Sequence, residues 1–224
     1  QRVSRDIRSP LTTIRGYAEL LDRVGPINTQ QQQFIDRISY STQAINLLLS
    51  DLLDLQEIET GYHDDWEPTH LGMIVRYAVE ARRQQMVQNQ QEIVVAVENI
   101  SPIDGNPAHL RQMIVNLLDN AASYMSAGGT LRISLSQADE FAVLQIADDG
   151  RGIAAEDQPH IFEEFYRPEQ SPDESTSTGL RMAIVRSIVD KHNGRIWLES
   201  QEGKGTTVTI MLPTKGGHSD SIDL

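Results

Sequence analysis

Hydrophobic residues recur at intervals of three and four positions through the first quarter of the chain, the spacing of one face of an α-helix. The first run ends near Gly25 and Pro26, a pair that stops a helix. The second begins after Thr29, a predicted N-cap, and closes at Gly61. The two stripes consist of Val3, Ile7, Leu11, Ile14, Ala18 and Leu21, and of Phe34, Ile38, Ile45, Leu48, Leu49, Leu52, Leu55 and Ile58. The pattern predicts an antiparallel α-helical hairpin over residues 1–61.

A single hairpin of this kind cannot cover its own apolar seam. Two hairpins from two chains can do so by forming a four-helix bundle, and the sequence therefore predicts a homodimer. The alternative is that the two helices pack on the rest of the same chain.

The pattern changes after residue 61. Residues 62–68 are acidic and polar and are predicted to be a linker. Helices are then predicted at residues 71–85, 109–125 and 180–192, and strands at residues 92–98, 130–136, 141–147, 195–200 and 206–212. Helices interleaved with largely antiparallel strands predict a two-layer α/β sandwich over residues 69–214. The polar residues 215–224 are predicted to form a flexible tail.

Composition narrows the class of protein. The net charge of −13 argues against a nucleic-acid binder, because such affinity comes from Lys and Arg that neutralise phosphates. The absence of cysteine excludes disulfides and thiolate zinc sites. No stretch approaches the roughly 20 apolar residues of a membrane span. The chain opens without Met, inside a predicted helix, so we expect a cytoplasmic fragment of a longer protein with an upstream sensor domain or membrane anchor.

Candidate chemistry begins at Asp148-Asp149-Gly150-Arg151-Gly152-Ile153, directly after a predicted strand. Glycines there allow the backbone to approach a flat ligand, and a buried carboxylate can accept a hydrogen bond from an exocyclic amine. Alone, this motif is more often a tight turn. The preceding helix carries Asn116 and Asn120 one turn apart, and Thr178-Gly179-Leu180 opens a later helix.

This order of motifs resembles the ATP-binding domain shared by histidine kinases, Hsp90, DNA gyrase and MutL, over residues 71–213. The resemblance implies that ATP and Mg²⁺ bind, that Asp148 receives the adenine amine beside Gly152, and that Asn120 binds the metal. It places Tyr124 near adenine and Arg167 at the terminal phosphate. The other implied nucleotide-binding residues are Asn116, Gly150, Ile153, Thr178, Gly179 and Leu180. Residues 168–177 would form a lid, and Phe162 and Phe165 would be either its hydrophobic latch or part of the core.

Residues 3–21, VSRDIRSPLTTIRGYAELL, resemble the dimerisation and phosphotransfer helix of sensor histidine kinases. Arg5 stands where that family carries its phosphoacceptor histidine. A neutral imidazole can attack the γ-phosphorus of ATP, whereas a guanidinium stays protonated and has no free lone pair. Asp6 and Ser9 match the pair that orients water when family members dephosphorylate a response regulator. Ser9 could equally well only precede Pro10 at the helix kink.

Further departures cluster at the phosphates. Ser123 replaces a family lysine, Asp149 stands where Asn is common, and Ser177 and Arg181 replace glycines of a phosphate-binding turn. The resemblance therefore implies intact adenine recognition with weakened binding of ATP and Mg²⁺.

The sequence predicts a two-component signalling module of histidine-kinase type that does not phosphorylate itself and acts through dimer conformation and partner binding. The expected partners are a second copy or a related kinase, a response regulator, and the upstream sensor domain. The alternatives are an active kinase in which the histidine has been changed to Arg5, and a response-regulator phosphatase.

Overall fold

The computed structural model describes residues 2–60, 65–168 and 178–215, with the side chains in these ranges except those of residues 2–9, 22 and 23. The chain begins with two helices, α1 (Arg2–Val24) and α2 (Thr29–Thr60), which pack along each other as the predicted hairpin. Within the described ranges no helix has both the length and the apolar content needed to cross a membrane.

The start of α2 differs in detail from the prediction. The Asn28 side chain accepts a hydrogen bond from the Gln31 N–H at 2.9 Å, and the Gln31 side chain accepts one from the Asn28 N–H at 2.9 Å. This reciprocal pair is a capping box. The N-cap is therefore Asn28, and the prediction of Thr29 was wrong by one residue, because the amide at position 28 has the partner three residues later.

The two helices bury only part of their apolar stripes. Leu11, Ala18 and Ile35 are buried. The stripe residues that remain exposed are Ile14, Leu21, Phe34, Ile38, Ile45 and Leu52, joined by Tyr17, Leu20 and Val24. One chain thus leaves an apolar face of the hairpin uncovered.

The second unit is a two-layer α/β sandwich, which confirms the predicted fold class. Its elements are β1 (Glu67–Thr69), α3 (Leu71–Gln88), β2 (Glu92–Val97), β3 (Ile103–Gly105), α4 (Pro107–Tyr124), β4 (Thr130–Ala138), β5 (Phe141–Asp148), α5 (Arg181–Lys191), β6 (Arg195–Gln201) and β7 (Gly205–Pro213). Five strands form one sheet in the order β2-β4-β5-β7-β6, parallel between β2 and β4 and antiparallel elsewhere.

The short strands β1 and β3 were not predicted. They pair antiparallel, with Pro68 opposite Asp104. Three residues carry too little pattern to be recognised as a strand, and their pairing partner lies more than thirty residues away. Strand β1 also begins inside the predicted linker, whose residues 62–64 lie outside the described ranges.

The core lies between the helices and one face of the sheet. In α4 the buried residues recur with helical spacing, and in the first part of β4 every second residue is buried. The fully buried side chains of these two elements include Leu110, Met113, Ile114, Leu131, Ile133 and Leu135.

The last turns of α2 pack against the sandwich. Leu55 and Ile58 are buried and belong to its core. Gln112 Nε2 donates to Asp54 Oδ2 at 2.6 Å, and Lys191 Nζ donates to the Ile58 carbonyl at 2.6 Å. The C-terminal part of α2 thus packs on its own chain, as one alternative for the hairpin had it. More N-terminal positions stay exposed, which leaves them available for the other alternative, a dimer.

His192 connects three elements. Its Nδ1 lies 2.7 Å from the Ile188 carbonyl and its Nε2 accepts from the Asn106 N–H at 3.1 Å, while its ring stacks on Trp66 with centroids 4.8 Å apart. These bonds require the neutral Nδ1–H tautomer.

The predicted tail can be followed only to Lys215. The Lys215 N–H donates to the Pro102 carbonyl at 2.7 Å, so the sandwich holds this first tail residue. Residues 216–224 lie outside the described ranges.

Candidate functional site

A cleft opens between α4, the sheet and the N-terminus of α5. Its empty volume is about 780 Å³, part of it open to solvent. Eight of its lining residues have apolar side chains, namely Leu117, Ala121, Ile146, Ile153, Ile161, Pro168, Met182 and Val208. Its polar lining residues are Asn120, Tyr124, Asp148, Tyr166, Arg181 and Thr206. A cleft of this size with apolar walls and a few convergent polar groups suits a small-molecule ligand.

Asp148 lies at the end of β5, on the cleft wall. Its Oδ1 accepts from the Gly150 N–H at 2.9 Å. Burial raises the pKa of Asp148 above its ordinary value, and the backbone N–H groups of Gly150 and Thr206 oppose that rise. A partly buried carboxylate beside apolar walls fits recognition of an amine on a flat base.

The glycines after Asp148 serve the packing of the chain. Gly152 has a φ of +71°, and a Cβ there would collide with the Gln201 carbonyl. A Cβ at Gly150 would lie 2.6 Å from the Tyr124 carbonyl oxygen. Gly152 lines the cleft and Gly150 is buried behind it. The sequence analysis attributed these glycines to the close approach of a ligand. In the structure, it is the protein's own backbone that approaches them closely.

The two asparagines of α4 have different surroundings. Asn120 lines the cleft, whereas Asn116 does not. The buried Nδ2 of Asn116 has no hydrogen-bond partner among the described residues. No group of three or more His, Cys, Asp or Glu side chains in the described ranges could hold a metal ion. Mg²⁺ suits such a site when one protein oxygen and the phosphates of its nucleotide hold it, and Asn120 could supply that oxygen.

Tyr124 and Arg167 stand at the side of the cleft. The Arg151 guanidinium lies 4.7 Å from the centroid of the Tyr124 ring, a cation–π contact. Arg167 lines a neighbouring cavity together with Glu156 and Asp157. The structure thus places Arg167 beside the cleft that holds Asp148.

Tyr166 was not anticipated from the sequence. Its hydroxyl donates to Asp157 Oδ1 at 2.5 Å, and this bond is the main reason that its pKa rises to about 12. The bond fixes the segment in front of Arg167, next to the cleft.

The three residues of the turn at Thr178, Gly179 and Leu180 have different surroundings. Gly179 lines the cleft with a φ of +72°, and a Cβ there would lie 2.7 Å from the Phe165 backbone. Leu180 is fully buried in the core. Thr178 Oγ1 donates to Asp51 Oδ2 on α2, a contact that the sequence did not reveal. No periodicity links an acidic residue of one helix to a turn more than a hundred residues later.

Three of the other departures from the family pattern lie within the described residues. Ser123 Oγ donates to the Asp119 carbonyl of its own helix at 2.7 Å. Asp149 Oδ1 accepts from the Thr130 N–H at 2.8 Å, which gives it a structural bond at the start of β4. Arg181 lines the cleft at the start of α5. Ser177 lies outside the described residues.

The predicted lid and latch lie only partly within the described residues. Pro168 lines the cleft, and residues 169–177 lie outside the described ranges. Phe162 packs partly against the core, whereas Phe165 is 52% exposed. The core alternative therefore suits Phe162 better than Phe165.

The predicted phosphotransfer position lies on α1, which contains Arg5, Asp6 and Ser9. The side chains of these three residues lie outside the described set. Their proposed roles therefore stay predictions from the sequence.

This chain combines a helical hairpin with a sandwich that holds this cleft, which is the architecture of two-component kinases. Residues 1–61 match the His Kinase A (phospho-acceptor) domain. Residues 105–216 match the family described as histidine kinase-, DNA gyrase B-, and HSP90-like ATPase. The chain belongs to the sensor histidine kinase family.

Relatives and solved structures agree with this assignment. The heme sensor protein HssS of Staphylococcus saprophyticus is 35% identical over 213 residues, which cover 94% of this chain and 45% of that protein. The mycobacterial sensor histidine kinase MprB is 30% identical with a TM-score of 0.57, covering 66% of this chain and 97% of that one. Full-length ShkA in complex with AMPPNP shares the fold, with a TM-score of 0.74 at 22% identity, covering 95% of this chain and 44% of that one. The chain spans less than half the length of the curated relatives it matches.

Proposed function

We propose that this chain is the signalling core of a two-component pseudokinase, which binds ATP but does not transfer phosphate to itself at position 5. Arg5 carries the proposal, because by resemblance it stands where the family has its phosphoacceptor histidine, and it lies within the residues 1–61 that match the His Kinase A domain. Its guanidinium stays protonated at neutral pH and cannot act as the nucleophile.

ATP binding is supported by the cleft itself. Asp148 suits the adenine amine, Asn120 suits a Mg²⁺ held mainly by phosphates, and the apolar walls suit a base. The AMPPNP complex of the related fold supports the same ligand. When bound, the nucleotide supplies the triphosphate, and this chain's residues hold and orient it.

The exposed apolar face of the hairpin supports a dimer, and the phosphotransfer-like helix supports docking of a response regulator. The module would signal by the conformation that a second copy, the regulator or an upstream domain selects.

Incubation with γ-labelled ATP and Mg²⁺ tests the proposal. We expect no acid-labile, base-stable label on the chain, although calorimetry shows binding of the nucleotide. Arg5→His is the matched variant. Label on the wild-type chain would contradict the proposal, and robust label only on Arg5→His would show that the rest of the machinery is intact.

A second candidate function is dephosphorylation of a response regulator. Asp6 and Ser9 match the pair that orients water, and a serine hydroxyl can do so as a threonine can. Faster loss of phosphate from a cognate regulator, abolished by Asp6→Ala, would support it. If the regulator lost its phosphate at an unchanged rate, the phosphatase function would be excluded, and the chain would act on the regulator only through its conformation.

A further inference from the structure

The turn before α5 carries a hydroxyl at Thr178 and a guanidinium at Arg181, on either side of Gly179, which lines the cleft. Arg181 lines the cleft, two residues after Gly179. Thr178 Oγ1 accepts from the Leu180 N–H at 3.3 Å and donates to Asp51 Oδ2. The Thr178 hydroxyl and the Arg181 charge both act on the Asp51 carboxylate, and a hydroxyl donor together with a guanidinium is an arrangement that binds anions.

The group already at this place is a carboxylate from α2. Asp51 is partly buried, and burial raises its pKa, while the Thr178 hydrogen bond and the positive charge of Arg181 oppose that rise. Asp54, one turn further along α2, bonds to Gln112 instead. Asp51 is therefore the acidic residue of α2 that reaches the turn, and Asp54 provides a comparison on the same helix.

The other cationic side chains that the resemblance implies near the phosphates do not line the cleft. Serine replaces the family lysine at position 123, and Arg167 lines the neighbouring cavity. Among the described residues that line the cleft, Arg181 is the cationic side chain.

We propose that Thr178 and Arg181 form the binding site for the terminal phosphate of ATP, and that the Asp51 carboxylate occupies this site while α2 is packed on the sandwich. The proposal rests on ATP binding in the cleft, as put forward above. ATP displaces Asp51 and frees this part of α2. ADP lacks the terminal phosphate and leaves the contact in place.

Calorimetric titration with ATP and with ADP, each with Mg²⁺, tests the site. The chain is compared with Asp51→Ala, Arg181→Gln and the matched control Asp54→Ala. Alanine is the best helix former, so both α2 variants should keep the helix. Asp51→Ala should tighten ATP binding by about fivefold or more and leave ADP binding within about twofold, and Arg181→Gln should weaken ATP binding by a similar factor. Asp54→Ala should leave both affinities within about twofold.

Amide hydrogen exchange of α2 gives a second readout. The amides around Asp51 should exchange faster with ATP bound than with ADP bound, and this difference should vanish in Asp51→Ala.

The outcomes separate the two proposals. If ATP binds but Asp51→Ala and Asp54→Ala change its affinity equally, or ATP and ADP affinities change alike, the terminal-phosphate site is overturned while nucleotide binding stands. If neither nucleotide binds to any variant, nucleotide binding fails and the site with it. Binding of ATP to Asp51→Ala alone would support displacement of Asp51.

Discussion

At the level of single residues, Asp148 combines partial burial with a backbone hydrogen bond that fixes its orientation. The Gly150 N–H holds Oδ1, and apolar side chains form the neighbouring walls. The neighbouring Asp149 is exposed and bonded to Thr130 instead. Two adjacent carboxylates therefore have different tasks because one faces the cleft and the other holds a strand.

Asp148→Asn should weaken ATP binding by about 10- to 100-fold, because it places an amide where the charged acceptor for the adenine amine belongs. The variant keeps an oxygen for the Gly150 N–H, so the turn should persist. Asp149→Asn, which keeps an oxygen for Thr130, should bind ATP as the parent chain does. Calorimetric affinities of the two variants give the comparison, and equal losses in both would contradict the role of Asp148.

His192 is a second residue whose effect exceeds its size. His192→Ala should lower the free energy of unfolding by about 2–3 kcal/mol, because the buried Asn106 N–H loses its acceptor and the Trp66 ring loses its stacking partner. Urea denaturation measures the change. His70→Ala, at an exposed histidine without a capping bond, should stay within about 0.5 kcal/mol of the parent. If His192→Ala were as stable as His70→Ala, the connecting role of His192 would be contradicted.

At the level of elements, α2 is one helix with two environments. Its N-terminal part packs on α1 and leaves apolar side chains exposed, while Leu55 and Ile58 join the core of the sandwich. Asp54 lies at this second contact. Burial and the charge of Asp51 raise the pKa of Asp54, and the hydrogen bond from Gln112 opposes the rise.

The raised pKa of Asp54 predicts a pH-dependent contribution to stability. Because the folded state binds the proton more readily than the unfolded state, this contribution is present below the ordinary pKa of about 3.9 and is lost as the pH rises through the raised pKa. Asp54→Asn, which keeps an acceptor for Gln112, should therefore raise the free energy of unfolding at pH 7 and raise it less as the pH falls toward 4. Urea titrations across this range measure the difference.

Asp36→Asn provides the control for this prediction. Asp36 is an exposed side chain on the same helix. We expect its substitution to change stability by less than about 0.5 kcal/mol at every pH. A gain for Asp54→Asn that is the same at pH 4 and pH 7 would show that the charge of Asp54 is not its cause.

At the level of the whole molecule, the hairpin presents an apolar face that one chain leaves uncovered. Ile14 is 46% exposed and Ile38 is 42% exposed. A second hairpin would bury these side chains in a four-helix bundle, each with a gain of about 0.7–1.5 kcal/mol, because each is already more than half buried in one chain.

The double variant Ile14→Lys/Ile38→Lys should raise the dissociation constant of the dimer by about 100-fold or more, because each lysine replaces buried apolar area with charge. Sedimentation equilibrium measures the constant. Met73→Lys/Val87→Lys changes two apolar residues of α3 that are more exposed than Ile14 and Ile38, and it should leave the dimer intact. Equal weakening by both pairs would contradict a dimer interface on the hairpin.

Much of this fold was accessible to sequence reasoning because long periodic segments carry strong signals. The hairpin, the three helices of the sandwich and its five long strands were all predicted, while the three-residue strands β1 and β3 were missed. The site was accessible in part. Asp148, Asn120 and Gly179 line the cleft as expected, whereas Asn116 and Leu180 do not.

The sequence by itself determined the order of the long elements and the family of the chain, and it alone carries the prediction that Arg5 replaces a nucleophile, because these depend on local periodicity and on residue type. Only the tertiary structure decided that Asp149 accepts a hydrogen bond from Thr130, that His192 accepts one from Asn106, and that Asp51 accepts one from Thr178. Each of these is a contact between residues 19 to 127 positions apart. Such contacts arise from packing of whole elements, which local periodicity does not encode.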